Sequence, residues 1–238
     1  MKKSHTLYQI LLAGALSAQV ACVDAAESIQ ILQNQVAGEG CVVGTDKSTF
    51  QARGRIDVNA TGGYLFTPLV ENSAVSSQSA TRRVFVEGAN VDIEFPGGEF
   101  STDDFDAALV SFKKPFSGSI DPGASNTFAF EVISKKLLDD MATAGLAEGS
   151  PVEVIAKVEI VGTMDGSGLS SNVFSYPIEV CNGCLTNVVG DCTDLPTELE
   201  IRTGGTCQTL QDGVLDCCVK SDETMSCPAV AEIVPEPV

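Results

Sequence analysis

Hydrophobic and polar residues alternate one by one through long stretches of this chain. Val152-Glu-Val-Ile-Ala-Lys-Val-Glu-Ile160 sets Val152, Val154, Ala156, Val158 and Ile160 on one face. Val91-Asp-Ile-Glu-Phe95 repeats the pattern, as do residues 128–133 and 174–180. A period of two marks a strand with one face buried. Weaker alternation covers 29–36, 53–58, 64–70, 82–86 and 107–112. Turn-forming clusters separate the runs: Thr61-Gly-Gly63, Pro96-Gly-Gly98, Asp121-Pro-Gly123 and Asp165-Gly-Ser-Gly168. Pro68 and Pro177 place their strands at an edge or an irregular step, because proline cannot donate to a ladder. One helix breaks the series. Ser134 can cap it, Ile133 and Leu138 occupy the hydrophobic-staple positions, and Gly145 ends it. Many strands with one short helix predict a mainly-β fold, an antiparallel Ig-like two-sheet sandwich over residues 29–181.

The pattern changes at both ends. Met1-Lys-Lys-Ser-His-Thr is basic, residues 7–18 are apolar, and small residues lead to Ala21-Cys22. That order describes a secretory signal peptide over 1–21, with an apolar run too short to span a bilayer. Ser17-Ala-Gln-Val-Ala-Cys22 resembles a lipobox, so Cys22 is expected to carry lipid and 22–28 to form a short linker. Gln19 departs from the usual leucine, and simple cleavage is the alternative. Residues 182–228 are rich in cysteine and poor in apolar periodicity, and 229–238 read as a loose terminus.

Charge narrows the partners. The net formal charge is −18, and the arginines (Arg53, Arg55, Arg82, Arg83 and Arg202) are scattered. A nucleic-acid groove needs clustered cations, so no nucleic acid is expected. Expected partners are a membrane, through lipid on Cys22, and an unknown protein or glycan.

Nine cysteines are odd for an exported chain. Setting Cys22 aside leaves Cys41, Cys181, Cys184, Cys192, Cys207, Cys217, Cys218 and Cys227 for disulfides. Metal binding fits poorly: there is one C-x-x-C, and the single histidine, His5, lies in the leader. A redox role for Cys181-Asn-Gly-Cys184 lacks the expected helix N-terminus. Stapling is the expected use. Asp212-Gly213 suggests a two-residue hairpin, which would set Cys207 opposite Cys218. Cys41 must then find its partner in the tail and tie the tail to the sandwich.

Without a histidine after the leader there is no Ser-His-Asp machinery, and no nucleotide-binding glycine motif is present. No cofactor is expected. Asp139 and Asp140 read as helix surface. Asp103, Asp104 and Asp106 are candidate calcium ligands, although their spacing is not that of an EF-hand.

The leader resembles those of bacterial lipoproteins. Ile31-Leu-Gln-Asn-Gln35, Gly63-Tyr-Leu-Phe-Thr-Pro-Leu-Val70 and Tyr176-Pro-Ile-Glu-Val-Cys-Asn-Gly-Cys184 resemble uncharacterised exported lipoproteins of myxobacteria-like species. The resemblance implies an envelope location and a β-rich fold, with no site residues. The sequence therefore predicts a non-enzymatic binding or structural protein, envelope-attached or secreted. Its alternatives are a carboxylate-based hydrolase acting on glycans, a calcium module, and an oxidoreductase using Cys181 and Cys184.

Overall fold

The computed structural model describes residues 28–75, 82–196 and 198–230. In chain order its elements are β1 (Ile29–Asn34), β2 (Gly54–Asp57), β3 (Tyr64–Phe66), β4 (Pro68–Asn72), β5 (Val84–Glu94), α1 (Ala107–Val110), β6 (Ser111–Ile120), β7 (Ser125–Thr127), β8 (Phe130–Ile133), α2 (Lys135–Thr143), β9 (Val152–Met164), β10 (Ser167–Ser170), β11 (Phe174–Cys181), β12 (Thr186–Asp191), β13 (Leu215–Val219) and β14 (Met225–Ser226). The fold is a mainly-β sandwich. One sheet runs β2-β11-β9-β5-β6, with β10 folded back beside β9. The sheets β1-β4-β7 and β3-β8 contribute Ile29, Ile31, Val70, Tyr64, Phe66 and Val132 to the same core as Val84, Val91, Val158, Ile160 and Ile178 of the larger sheet. Alternation does what the sequence asks: Val152, Val154, Ala156, Val158 and Ile160 are all buried.

The predicted strands at 82–86 and 91–95 are one strand. Its ladders to β6 and β9 slip register between Val86 and Gly88, the mark of a bulge. Gly88 has φ 152°, and a Cβ there would lie 2.4 Å from the Lys114 carbonyl oxygen. The predicted strand at 107–112 is instead α1 followed by β6, because Asp106 accepts from Ala108 N–H at 3.0 Å and starts a helical turn. Helix α2 follows its sequence signals. The Ser134 hydroxyl accepts from Leu137 N–H at 3.2 Å, and Leu137, Leu138 and Met141 are buried.

Two ladders depart from the antiparallel expectation. β2 lies parallel to β11, and β12 parallel to β13. Parallel neighbours need a long connection, and most of the sandwich lies between β2 and β11. Pro177 pairs with Ile155 of β9, while the β2 ladder begins one residue later at Ile178, so proline meets no partner on that side.

The tail forms its own sheet, β12-β13-β14, and also extends the sandwich. Asp57 N–H donates to Leu210 O at 3.0 Å and Asp212 N–H to Arg55 O at 2.8 Å, so the 210–212 segment pairs with the outer edge of β2. The disulfides are Cys41–Cys207, Cys181–Cys184, Cys192–Cys218 and Cys217–Cys227. The predicted Cys207–Cys218 pairing is therefore wrong, and the reason lies in one turn. A two-residue hairpin of this type needs positive φ at both positions. Asp165 and Gly166, at 50° and 82°, satisfy that and join β9 to β10. Asp212 has φ 59° but Gly213 is not in the positive-φ region. Residues 203–214 wrap along the sandwich, and Cys207 reaches Cys41. Four disulfides mark an oxidising, extracytoplasmic compartment. Among the described residues no helix is long and apolar enough to cross a membrane.

Candidate functional site: a cleft between sandwich and tail

β3 and β4 are one strand that changes partners at Thr67. Residues 64–66 pair with β8, and 68–72 pair with β1 and β7. On the edge away from β8 no strand runs beside Leu65, and side-chain amides take its place there and at the Thr67 N–H. Leu65 N–H donates to Gln211 Oε1 at 2.9 Å, and Gln211 Nε2 donates to Leu65 O at 2.8 Å. Thr67 N–H donates to Asn34 Oδ1 at 2.8 Å. Where a strand would lie there is a cleft of about 380 Å³.

Its lining brings Asn34, Gln35, Gln51, Gln208 and Gln211 together with Thr67, Thr206 and Asp212. These residues come from four separate segments. Cys41–Cys207 and the 210–212 pairing hold them in place. A smaller cavity of about 230 Å³ shares Gln51, Asp212 and Gly213 and adds Arg53 and Arg55. Those arginines already pair with Glu153 and Glu179.

A polar chain runs from Asp212 into the core. Asp212 Oδ1 accepts from Arg55 N–H at 2.7 Å, and Oδ2 accepts from the Tyr64 hydroxyl at 3.0 Å. The Tyr64 and Tyr176 hydroxyls lie 3.1 Å apart. Tyr64 has one hydrogen, so when it donates to Asp212 it accepts from Tyr176. Burial pushes the Tyr64 phenol well above its ordinary value, reinforced by the negative Asp212; burial raises Tyr176 to about 12. Surrounding protein desolvates the Asp212 carboxyl and pushes it up, against the pull of its donors. Asp212 nevertheless remains solvent-accessible through the cleft, and solvent screens part of this effect.

The arrangement can recognise a neutral partner by hydrogen bonds. Amides donate and accept, the cleft lining has no lysine or arginine, and Asp212 is its single carboxylate.

Most of the predicted site residues lie elsewhere. Cys22 is outside the described residues. Cys41 and Cys207 stand at the edge of the cleft through their shared bridge, and Cys207 lines it. Cys192, Cys217, Cys218 and Cys227 staple the tail sheet. The proposed calcium cluster does not form. Asp104 accepts from Ser101 N–H and Asp106 from Ala108 N–H, so both cap helical turns. Among the described residues the metal-ligand atom types that do come together belong to Asp57, Cys181 and Cys184, and there the two sulfurs are joined as a disulfide rather than free as thiolates. Asp139 and Asp140 pair with Lys135 and Lys136 on the surface of α2.

Sequence reasoning missed Tyr64, Tyr176, Gln211 and Asp212. A signal existed for the tyrosines: both sit at inward positions of predicted strands, and a buried hydroxyl demands a partner. Asp212 was hidden by its reading as a hairpin turn.

No family model and no curated protein matches this chain. Among solved structures, the crystal structure of a protein from Archaeoglobus fulgidus is similar at 13% identity and TM-score 0.33, over 51% of this chain and 91% of that one. At that TM-score the likeness carries nothing about fold or function to this chain.

Proposed function

We propose that this protein is an exported, non-enzymatic binding module, attached to the envelope through lipid on Cys22 or secreted, with the cleft as its working surface. The carrying observation is the lining: five amide side chains and one carboxylate, fixed by a disulfide and by paired backbone. Such a surface suits a neutral, hydrogen-bonding partner such as a glycan. A hydrolase using paired carboxylates needs a second acid about 5–9.5 Å from the first. Asp212 stands alone in the cleft, which favours binding over hydrolysis.

The position of the cleft supports the same reading. β1 enters at Ile29, beside Asn72, and ends at Asn34 on the cleft. Five rises of about 3.3 Å along the strand separate the two by roughly 17 Å. A tether ahead of β1 would place the cleft at the other end of that strand from the attachment.

The test is an NMR titration of isotope-labelled protein with neutral oligosaccharides and with neutral peptides. Saturable shifts of the Asn34, Gln51, Gln208 and Gln211 side-chain amides with oligosaccharide, without cleavage, are expected. Cleavage of the oligosaccharide, shifts with peptide alone, or no shifts at these amides would each overturn the reading.

A further inference from the structure

The Cys181–Cys184 bridge differs from the other three in what it joins. Those span 166, 26 and 10 residues, and this one spans 3. It ties no two elements together. Cys181 is already paired with Asp57 of β2, Val58 N–H donates to its carbonyl at 2.8 Å, and Leu185 N–H donates to Asp57 Oδ2 at 3.2 Å. Closing so short a loop removes little freedom from the unfolded chain. The two sulfurs also differ in access: Cys181 is fully buried, and Cys184 is half-buried. Asp57, itself fully buried, brings a carboxylate oxygen within 4.8 Å of both sulfurs. Glu148 is the other carboxylate facing this loop, 3.9 Å from where a Cβ on Gly183 would stand. A bridge that staples nothing and has one reachable sulfur can open without undoing the fold, and the buried carboxylate beside it tunes how readily it does so.

We propose that Cys181–Cys184 is a thiol–disulfide exchange site, open in the folded protein to a partner dithiol or a pair of small thiols. A partner thiolate attacks Cys184 Sγ, forming a mixed disulfide. The Cys181–Cys184 bond breaks, and its electron pair leaves on Cys181 Sγ. That sulfur takes a proton from water, and its S–H has an acceptor ready in Ile56 O at 3.6 Å. A second partner thiolate then attacks the partner's sulfur in the mixed disulfide. The partner departs as its own disulfide, and Cys184 leaves as a thiolate and is protonated by water. The partner thiols lose two electrons and two protons, and the bridge gains them. Asp57 is a positioning residue. Its carboxylate disfavours negative charge on the departing Cys181, so it holds the bridge closed against weak thiols.

The experiment treats the folded, exported protein with reduced glutathione, blocks free thiols by alkylation and maps the labelled cysteines. Label on Cys181 and Cys184 alone, with far-UV circular dichroism unchanged, is expected. Label on all bridges together, or only in denaturant, overturns the proposal. Two single variants keep the assignment falsifiable. Cys181→Ser frees Cys184 and, given oxidised glutathione, should take up one glutathione as a stable mixed disulfide with release of one reduced glutathione, whereas Cys184→Ser should not; equal uptake by both overturns the choice of Cys184 as the attacked sulfur. Asp57→Asn keeps an acceptor for Leu185 N–H and should open the bridge ~10-fold faster with an altered pH profile. A lower Tm with an unchanged opening rate would leave Asp57 a purely structural residue and overturn its part.

Discussion

Gln211 holds Leu65 as a neighbouring strand would. Leu65 N–H donates to Oε1 at 2.9 Å, and Nε2 returns a hydrogen bond to Leu65 O at 2.8 Å. One side-chain amide thus replaces one peptide unit at the edge of β3. Gln211→Leu keeps the volume and strands both backbone groups. Each stranded group costs about 1–3 kcal/mol where water cannot replace the partner, and the cleft admits some water. The expected loss is about 2–3 kcal/mol in urea unfolding, with faster hydrogen exchange at the Leu65 amide. Gln211→Glu should cost at least as much, because the new carboxylate cannot donate to Leu65 O and faces Asp212.

The two tyrosines among the described residues give an optical prediction for protein prepared without residues 1–21. Tyr8 lies in the predicted leader, leaving Tyr64 and Tyr176, both buried and both raised. For a phenol whose folded value is raised, the stabilising contribution is complete below about pH 10 and is lost as pH rises through the folded value. Tyrosinate absorbance should therefore stay near zero through pH 10 and 11, then rise together with unfolding near pH 12. A normal titration near pH 10 in protein that is still folded would contradict the buried chain from Asp212 through Tyr64 to Tyr176.

What the sequence could and could not announce follows from the range of each interaction. Alternation in 152–160 reports which face of β9 is buried, and Ser134 with Ile133 and Leu138 reports the start of α2; both are local. Alternation says nothing about which strand lies alongside, so the parallel β2–β11 ladder was not legible. α1 was missed because four residues are too few to show a helical period. The cleft was least legible, because Asn34, Gln51, Leu65 and Gln211 meet only through tertiary pairing. Its one strong local signal, Asp212-Gly213, pointed to a hairpin, whereas the Asp212 carboxylate is engaged by Tyr64 and by Arg55 N–H.

The four disulfides should rank by the chain they close. The chain-entropy relation gives about 5 kcal/mol for Cys41–Cys207, about 3.5 for Cys192–Cys218, about 2.7 for Cys217–Cys227 and about 1.6 for Cys181–Cys184. Replacing each pair by alanine and measuring Tm should reproduce that order. Loss of Cys41–Cys207 should also open the cleft, since the bridge anchors the tail segment that lines it. If the Cys181–Cys184 variant were the least stable of the four, the view that this bridge staples nothing would fail.

The tail sheet carries an acid-sensitive clamp of its own. Asp216 side-chain atoms accept from Arg202 Nε and guanidinium at 3.0 and 2.6 Å, from Arg202 N–H at 2.8 Å and from Asn187 at 2.7 Å. The Arg202 side chain above all, then its backbone N–H and Asn187, holds the Asp216 carboxyl well below the usual carboxylate range. The Asp216 side chain is 3% exposed but that of Arg202 is 53% exposed, so solvent and salt screen part of the pairing. A carboxyl with a depressed folded value contributes stability that is complete above about pH 4 and is lost as pH falls toward that value. Asp212 acts in the opposite sense: its raised folded value means that its contribution is lost as pH rises above about pH 4. The two are separable by mutation. Arg202→Gln should remove most of the fall in Tm between about pH 4 and pH 2 that Asp216 contributes, and Asp212→Asn should leave that fall intact while removing the opposing slope above it. An Arg202→Gln curve parallel to that of the parent chain across the acid range would show that the clamp does not set the acid stability of the tail.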